Sequence, residues 1–225
     1  MNSVMLDCKR YLDNELKTIE YIKTKCYSGS LISLSNTACK CYDVLKQHKG
    51  LNVCFEWKVF SPEYNKEFII NVAGLVVKNN NEIENSSYCI SVSEESKGTI
   101  NVLKKFHFDY VSMDSCRRQN HPIFHIQFPG EALPKWKGRN FVVEHLCPKF
   151  SEPRIIYKPM SLALVLHIAF IEFPYFEFQK IIEDSAWKNI IRKNQELLWK
   201  PYWEKCINYI KHNDLIFEVG YAKKN

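Results

Sequence analysis

The stretch Asn52-Val-Cys-Phe-Glu-Trp-Lys-Val59 decides the fold, because the hydrophobic period of the chain changes there from 3.6 to 2. Val53, Phe55, Trp57 and Val59 alternate with Asn52, Cys54, Glu56 and Lys58. Side chains along a strand point to opposite faces in turn, so the pattern predicts a strand with one apolar and one wet face. Residues 61–67 hold a Pro and an Asn and read as a turn. Residues 68–77 are nearly all apolar, which predicts a second, more central strand. The Asn-rich run 78–87 reads as a loop. Residues 88–92 and 99–113 supply two more strands around a turn at 94–98, and 122–128 supplies another.

Outward from this sheet the period is helical. Val4, Cys8, Tyr11, Leu12, Leu16, Ile19 and Ile22 fall at steps of three and four, with Lys9, Asp13 and Lys17 between them. After a short break, Ser30 is placed to cap a second helix carrying Leu31, Leu34, Ala38, Tyr42 and Leu45, which stops near Lys49-Gly50. On the far side, 130–160 is irregular, with Phe141-Val142-Val143 as a short strand. Three helices follow: 161–173, apolar all round and ending before Pro174; 178–198, amphipathic; and 199–211, with Trp199, Trp203, Ile207 and Ile210 on one stripe. The expected fold is therefore α+β in a single domain over residues 1–225. A helical hairpin (1–50) leads into an antiparallel sheet of about five strands (51–130). An irregular connection (131–160) leads to a helical tail (161–225), and the helices cover one face of the sheet.

Composition bounds the function. The 46% hydrophobic and 14% aromatic content belongs to a globular chain, not a disordered or fibrous one. Acidic residues begin at Asp7 and no uninterrupted apolar segment follows, which is not the pattern of a secretory signal. The most apolar stretch, 160–176, contains His167, Glu172 and Pro174 and is too short to cross a bilayer. A cytoplasmic protein with no membrane partner is expected. Nine cysteines, an odd number, argue against a closed disulfide framework. Cys39 and Cys41 form the one close pair, and Cys147 near His145 is far from them in sequence, so zinc spacing is not met. Buried free thiols, and neither metal nor cofactor, are the expectation. With seven glycines in all, the chain has no Gly-rich phosphate loop; G-x-S-x-G and H-E-x-x-H are also missing.

Three groups of residues carry chemistry. In Lys104-Lys-Phe-His-Phe-Asp-Tyr110, Phe106, Phe108 and Tyr110 point one way, and His107 and Asp109 the other. In His121-Pro-Ile-Phe-His-Ile-Gln-Phe128, Phe124, Ile126 and Phe128 lie opposite His125 and Gln127. Pairing of these strands gathers His107, Asp109, His125 and Gln127 on one face, about 5 Å apart across strands. Such a cluster can hold a divalent metal, place a general base beside a carboxylate, or serve as a structural polar network. Glu56-x-Lys58 with Asp109 also fits the outline of a metal-dependent nuclease site. The net charge of +6 permits a polyanionic partner, and Lys104, Lys105, Arg117 and Arg118 are the candidate nucleic-acid contacts. Trp187, Trp199, Tyr202 and Trp203, with Tyr209, offer either a helix core face or a partner-binding surface of hot-spot residue types.

The order Phe106-His-Phe-Asp109-Tyr, His121-Pro-Ile-Phe-His125, Pro153-Arg154-Ile and Pro159-Met, closed by an apolar helix ending in Glu172-Phe173, resembles a group of uncharacterised bacterial proteins. They share an "FDYD … HPxxH … RI … P" core, and the resemblance covers roughly residues 104 to 175. Val111 stands where the group usually has a second acidic residue. The resemblance implies an accessory role in mobile or defence-related regions, by association and not by mechanism. The expected function is a non-catalytic interaction subunit of a bacterial multiprotein system such as antiviral defence, binding another protein subunit. The alternatives are a hydrolase or nuclease using His107, Asp109 and His125, and a nucleic-acid-binding module.

Overall fold

The computed structural model describes residues 7–27, 33–34, 50–79, 82–111, 124–127, 140–143, 155–173 and 176–211. Its centre is an antiparallel meander: β2 (Gly50–Ser61), β3 (Lys66–Asn79), β4 (Glu82–Ser96), β5 (Thr99–Val111) and β6 (Phe124–Gln127). Short strands finish the edges. β1 (Ser33–Leu34) adds to β2 and β8 (Ile155–Ile156) to β6, while β7 (Asn140–Val143) runs parallel to the start of β5. The β4–β5 hairpin closes on Lys97 and Gly98, both at positive φ, the two-residue turn whose twist suits paired strands.

The alternation at 52–59 translates directly into packing. Phe55 pairs with Val72 and Trp57 with Ile70, and the row continues through Ile90 and Tyr88 to Phe108. This face is the core, covered by α1 (Cys8–Tyr27), α2 (Leu162–Glu172), α3 (Phe176–Glu183) and α4 (Ser185–Asn194). Trp57 meets Phe170 and Phe178 edge-on at ring separations of 5.7 and 5.5 Å. α1 is tied to α4 by Lys25, whose Nζ lies 2.6 Å from Asp184 Oδ2 while Asp184 caps α4 by accepting from the Ala186 N–H. From Ser185 the helical path runs through a π turn at Gln195–Trp199 into α5 (Lys200–Ile210). No helix among the described residues is long and apolar enough to cross a membrane.

The α+β fold is as expected, with several local corrections. Ser33–Leu34 pair with Glu56 and Phe55, so the second helix of the expected hairpin does not run through them; its other residues lie outside the described ones. Most of the expected loop at 78–87 is strand, because Asn85, Ser86 and Ser87 pair with Val77, Val76 and Leu75. Ile155–Ile156 form a strand within a segment read as irregular. The expected 178–198 helix breaks at Asp184, whose side chain accepts the Ala186 N–H at the start of a new helix. The stripe Trp199–Trp203–Ile207 is not the core face of the last helix. Leu198, Tyr202 and Cys206 are buried instead, since the π turn shifts the angular phase beyond it. On the face of β2 expected to be wet, Lys58 is exposed but Glu56 is buried.

Candidate functional site

The expected hairpin pairing is present. His107 stands opposite Gln127, and Asp109 opposite His125, with Phe108–Ile126 and Tyr110–Phe124 as the alternating partners on the core face. The polar set therefore lies on the sheet face away from the helices. Asp109 is its centre: Oδ2 lies 3.5 Å from His125 Nε2, and Oδ1 accepts a short hydrogen bond from the Ser87 hydroxyl across the β4–β5 ladder. His107 faces Cys89. His107 is 5% exposed and His125 3%. Burial, helped by Lys105 and His125, pulls His107 down to about 4, so it is neutral at pH 7. Its Nε2 is buried with no hydrogen-bond partner. Burial pushes the Cys89 thiol up to about 12, which makes it an inert hydrophobe.

The order of these groups matters for chemistry. A nucleophile is activated when the imidazole stands between hydroxyl and carboxylate. Here the carboxylate stands between Ser87 and His125, so the hydroxyl donates to the carboxylate and not to the imidazole, and gains no nucleophilicity. The pocket beside the pair is lined by Ser86, Tyr88, Phe108, Asp109, Tyr110, His125, Lys158 and Met160, and has room for about one water molecule. Among the described residues, no three His, Cys, Asp or Glu side chains converge as metal ligands would. Glu56 lies three strands from Asp109 and in register with Lys105, four residues from it along β5, which puts the two roughly 19 Å apart at the usual strand spacings, so they do not form one acidic site.

The basic and aromatic candidates separate. Lys104 is exposed, Lys105 is buried, and Arg117 and Arg118 lie outside the described residues, as do Cys39, Cys41, His145 and Cys147. Trp187 is fully buried and donates from Nε1 to His167 Nδ1 at 3.3 Å. Trp199 donates to the Pro159 carbonyl at 2.8 Å, with the Lys158 ammonium 3.7 Å above its ring. Tyr202 is buried against Phe124 and Cys206. Trp203 is the exposed member of the four, at 48%, and Ile207 one turn on is 51% exposed.

A second polar cluster went unread in the sequence. Glu15, 1% exposed, accepts the Leu162 N–H at 3.0 Å on one carboxyl oxygen and 3.3 Å on the other. It is also bonded to the Tyr88 hydroxyl, which shares a short hydrogen bond with the Tyr11 hydroxyl; Tyr11 in turn reaches the Met160 carbonyl. Gly74 opposite Tyr88 leaves room for this ring, since a Cβ there would lie 2.9 Å from Tyr88 Cδ1. Burial pushes the Glu15 carboxyl up to about 8, against the pull of the Leu162 N–H and the Tyr88 hydroxyl. The signal was available: Tyr11, Glu15, Ile19 and Ile22 are spaced as one inward stripe. Comparison with protein-family models, curated proteins and solved structures found no match.

Proposed function

We propose that the chain is a non-catalytic interaction subunit that docks on another protein through the outer side of α5. The supporting observation is a stripe of four exposed residues at helical spacing: Lys200, Trp203, Ile207 and Lys211. Two large apolar side chains stand in solvent, bracketed by ammonium groups, on a helix whose opposite side is anchored by Tyr202 and Cys206 against Phe124. The matching partner surface is an apolar groove with carboxylates at its ends. Trp at the centre of such a contact is the residue type that most often dominates binding. The resemblance over residues 104–175 adds the setting in which to seek the partner, a bacterial multiprotein system of the defence-related kind. Against the hydrolase reading stand the Ser87–Asp109–His125 order and the water-sized pocket.

The test begins with the tagged chain purified from its own cells at mild salt. A stoichiometric partner is then produced alone and titrated with wild type and with the W203A/I207A double variant. Affinity should fall at least tenfold, while urea stability changes by no more than about 0.5 kcal/mol, as at exposed sites generally. K200E/K211E should weaken binding mainly at low salt. Equal binding by wild type and W203A/I207A removes the reading. So does a chain that purifies alone and loses a hydrolytic activity on H125A substitution.

A further inference from the structure

We propose that Glu15 is a proton-operated latch, closed on the N-terminus of α2 when its carboxyl carries a proton and loosened when it ionises. The geometry puts one side chain at the junction of three elements. Glu15 belongs to α1, accepts from the first N–H of α2, and is bonded to Tyr88 of β4. Ser161 Oγ caps α2 at Leu164, so the Leu162 N–H is left to Glu15. The contact joins residues 147 apart in sequence.

The surroundings favour the neutral form. The titratable groups facing the carboxyl are Tyr11 on its own helix and Tyr88 on β4, with Tyr110 of β5 acting on Tyr11 beyond them. The start of α2 brings backbone and the Ser161 hydroxyl. Among the described residues, no cation is one of the groups that shift Glu15. Lys158, Asp109 and His125 line the pocket on the other side of Tyr88. Among the described residues an ion in this site has hydrogen bonds but no counter-charge, and hydrogen bonds alone do not replace its hydration.

The helix has a second tether with different chemistry. Near the C-terminal end of α1, Lys25 pairs with Asp184, and Tyr21 lies against Trp187 at a ring separation of 5.3 Å. Ionisation of Glu15 therefore loosens the N-terminal part of α1 while its last turns stay attached. That opening uncovers Tyr11, Tyr88 and the water-sized pocket between Tyr88 and Asp109. Between pH 4.5 and about 8 the closing constant should fall tenfold per pH unit, about a thousandfold in all.

Hydrogen exchange of the full chain from pH 6 to 9, corrected for the intrinsic rate, reads the latch. Amides in the first half of α1 should lose about tenfold in protection per pH unit up to pH 8 and then level off, starting from lower protection than the β3–β4 amides, which open only on global unfolding. In E15Q, whose amide keeps an acceptor for Leu162 and a donor for Tyr88, that slope should vanish. Should E15Q not fold, wild type labelled with ¹³C-carboxyl glutamate reports directly, with one resonance titrating near pH 8. Flat α1 protection in wild type, an unchanged slope in E15Q, or all glutamates titrating below pH 6 would overturn the proposal.

Discussion

Glu15 and His107 are buried to nearly the same depth on opposite faces of one sheet, and burial drives both to the neutral form. The resemblance ends there. Glu15 is engaged by α2 and β4, and removing its carboxyl strands a helix N–H and takes one of two partners from the Tyr88 hydroxyl. His107 leaves Nε2 with no hydrogen-bond partner and fills space beside Cys89. Neutralising a buried group costs the same kind of free energy on either face, yet only one of the two ties elements together.

The pH dependence of folding separates them, and this is the largest effect expected. Glu15 is raised from 4.5 to about 8, so its contribution is full below pH 4.5 and lost as pH rises towards 8. At about 1.4 kcal/mol per pH unit, that loss is on the order of 5 kcal/mol. His107 is lowered from 6.5 to about 4, so its contribution is full above pH 6.5 and is lost as pH falls towards 4, on the order of 3 kcal/mol. Between pH 4.5 and 6.5 the two slopes oppose each other. Urea unfolding should show a plateau there, then a decline of about 2 kcal/mol by pH 8. E15Q should abolish the decline and expose the acid-side loss; a decline that persists in E15Q breaks the comparison.

Smaller substitutions sharpen it. D109A removes the acceptor shared by Ser87 and His125 and should cost about 2 kcal/mol, whereas D109N, which keeps an acceptor, should cost less than about 1. G74A drives a Cβ into the Tyr88 ring and should cost about 1–2 kcal/mol in thermal or urea unfolding. It should also carry the α1 exchange slope to higher pH, because displacing the hydroxyl removes a hydrogen bond that holds the Glu15 carboxyl down. The smallest change is expected at His107. H107L trades an unpartnered nitrogen for methyl groups and should be neutral to stabilising by about 1 kcal/mol at pH 7. A loss of more than 1 kcal/mol in that variant would make His107 a clasp like Glu15.

The same pair shows what could be read in the sequence. The His107–Asp109–His125 face was legible because strand alternation carries it, and a one-residue slip would have put Phe108 and Tyr110 on the wrong face. Register followed from the pattern of two neighbouring segments. The Glu15 cluster was not legible in the same way, since its partners Tyr88 and Leu162 are assigned only by tertiary packing. Its one local trace is an acid on the Tyr11–Ile19–Ile22 stripe, the apolar face of the helix, which implies that the acid is buried but not what it meets. The misread helix at 30–49 has a related cause. Leu31 and Leu34 fit helical spacing, but two residues at a sheet edge need only free backbone groups on β2. Asp184 was a missed capping signal, standing just before Ser185-Ala-Trp187.

The π turn at Gln195–Trp199 gives the last helix two alternative identities. One residue is worth about 100° of rotation. Deleting a single residue there should restore ordinary winding and swing everything beyond it by that angle. Tyr202 and Cys206 would leave Phe124, and a different side of α5 would face the sheet. The choice of which aromatic faces solvent thus rests on one inserted residue, and gain or loss of that residue in a lineage would re-aim the docking stripe without touching any side chain in it.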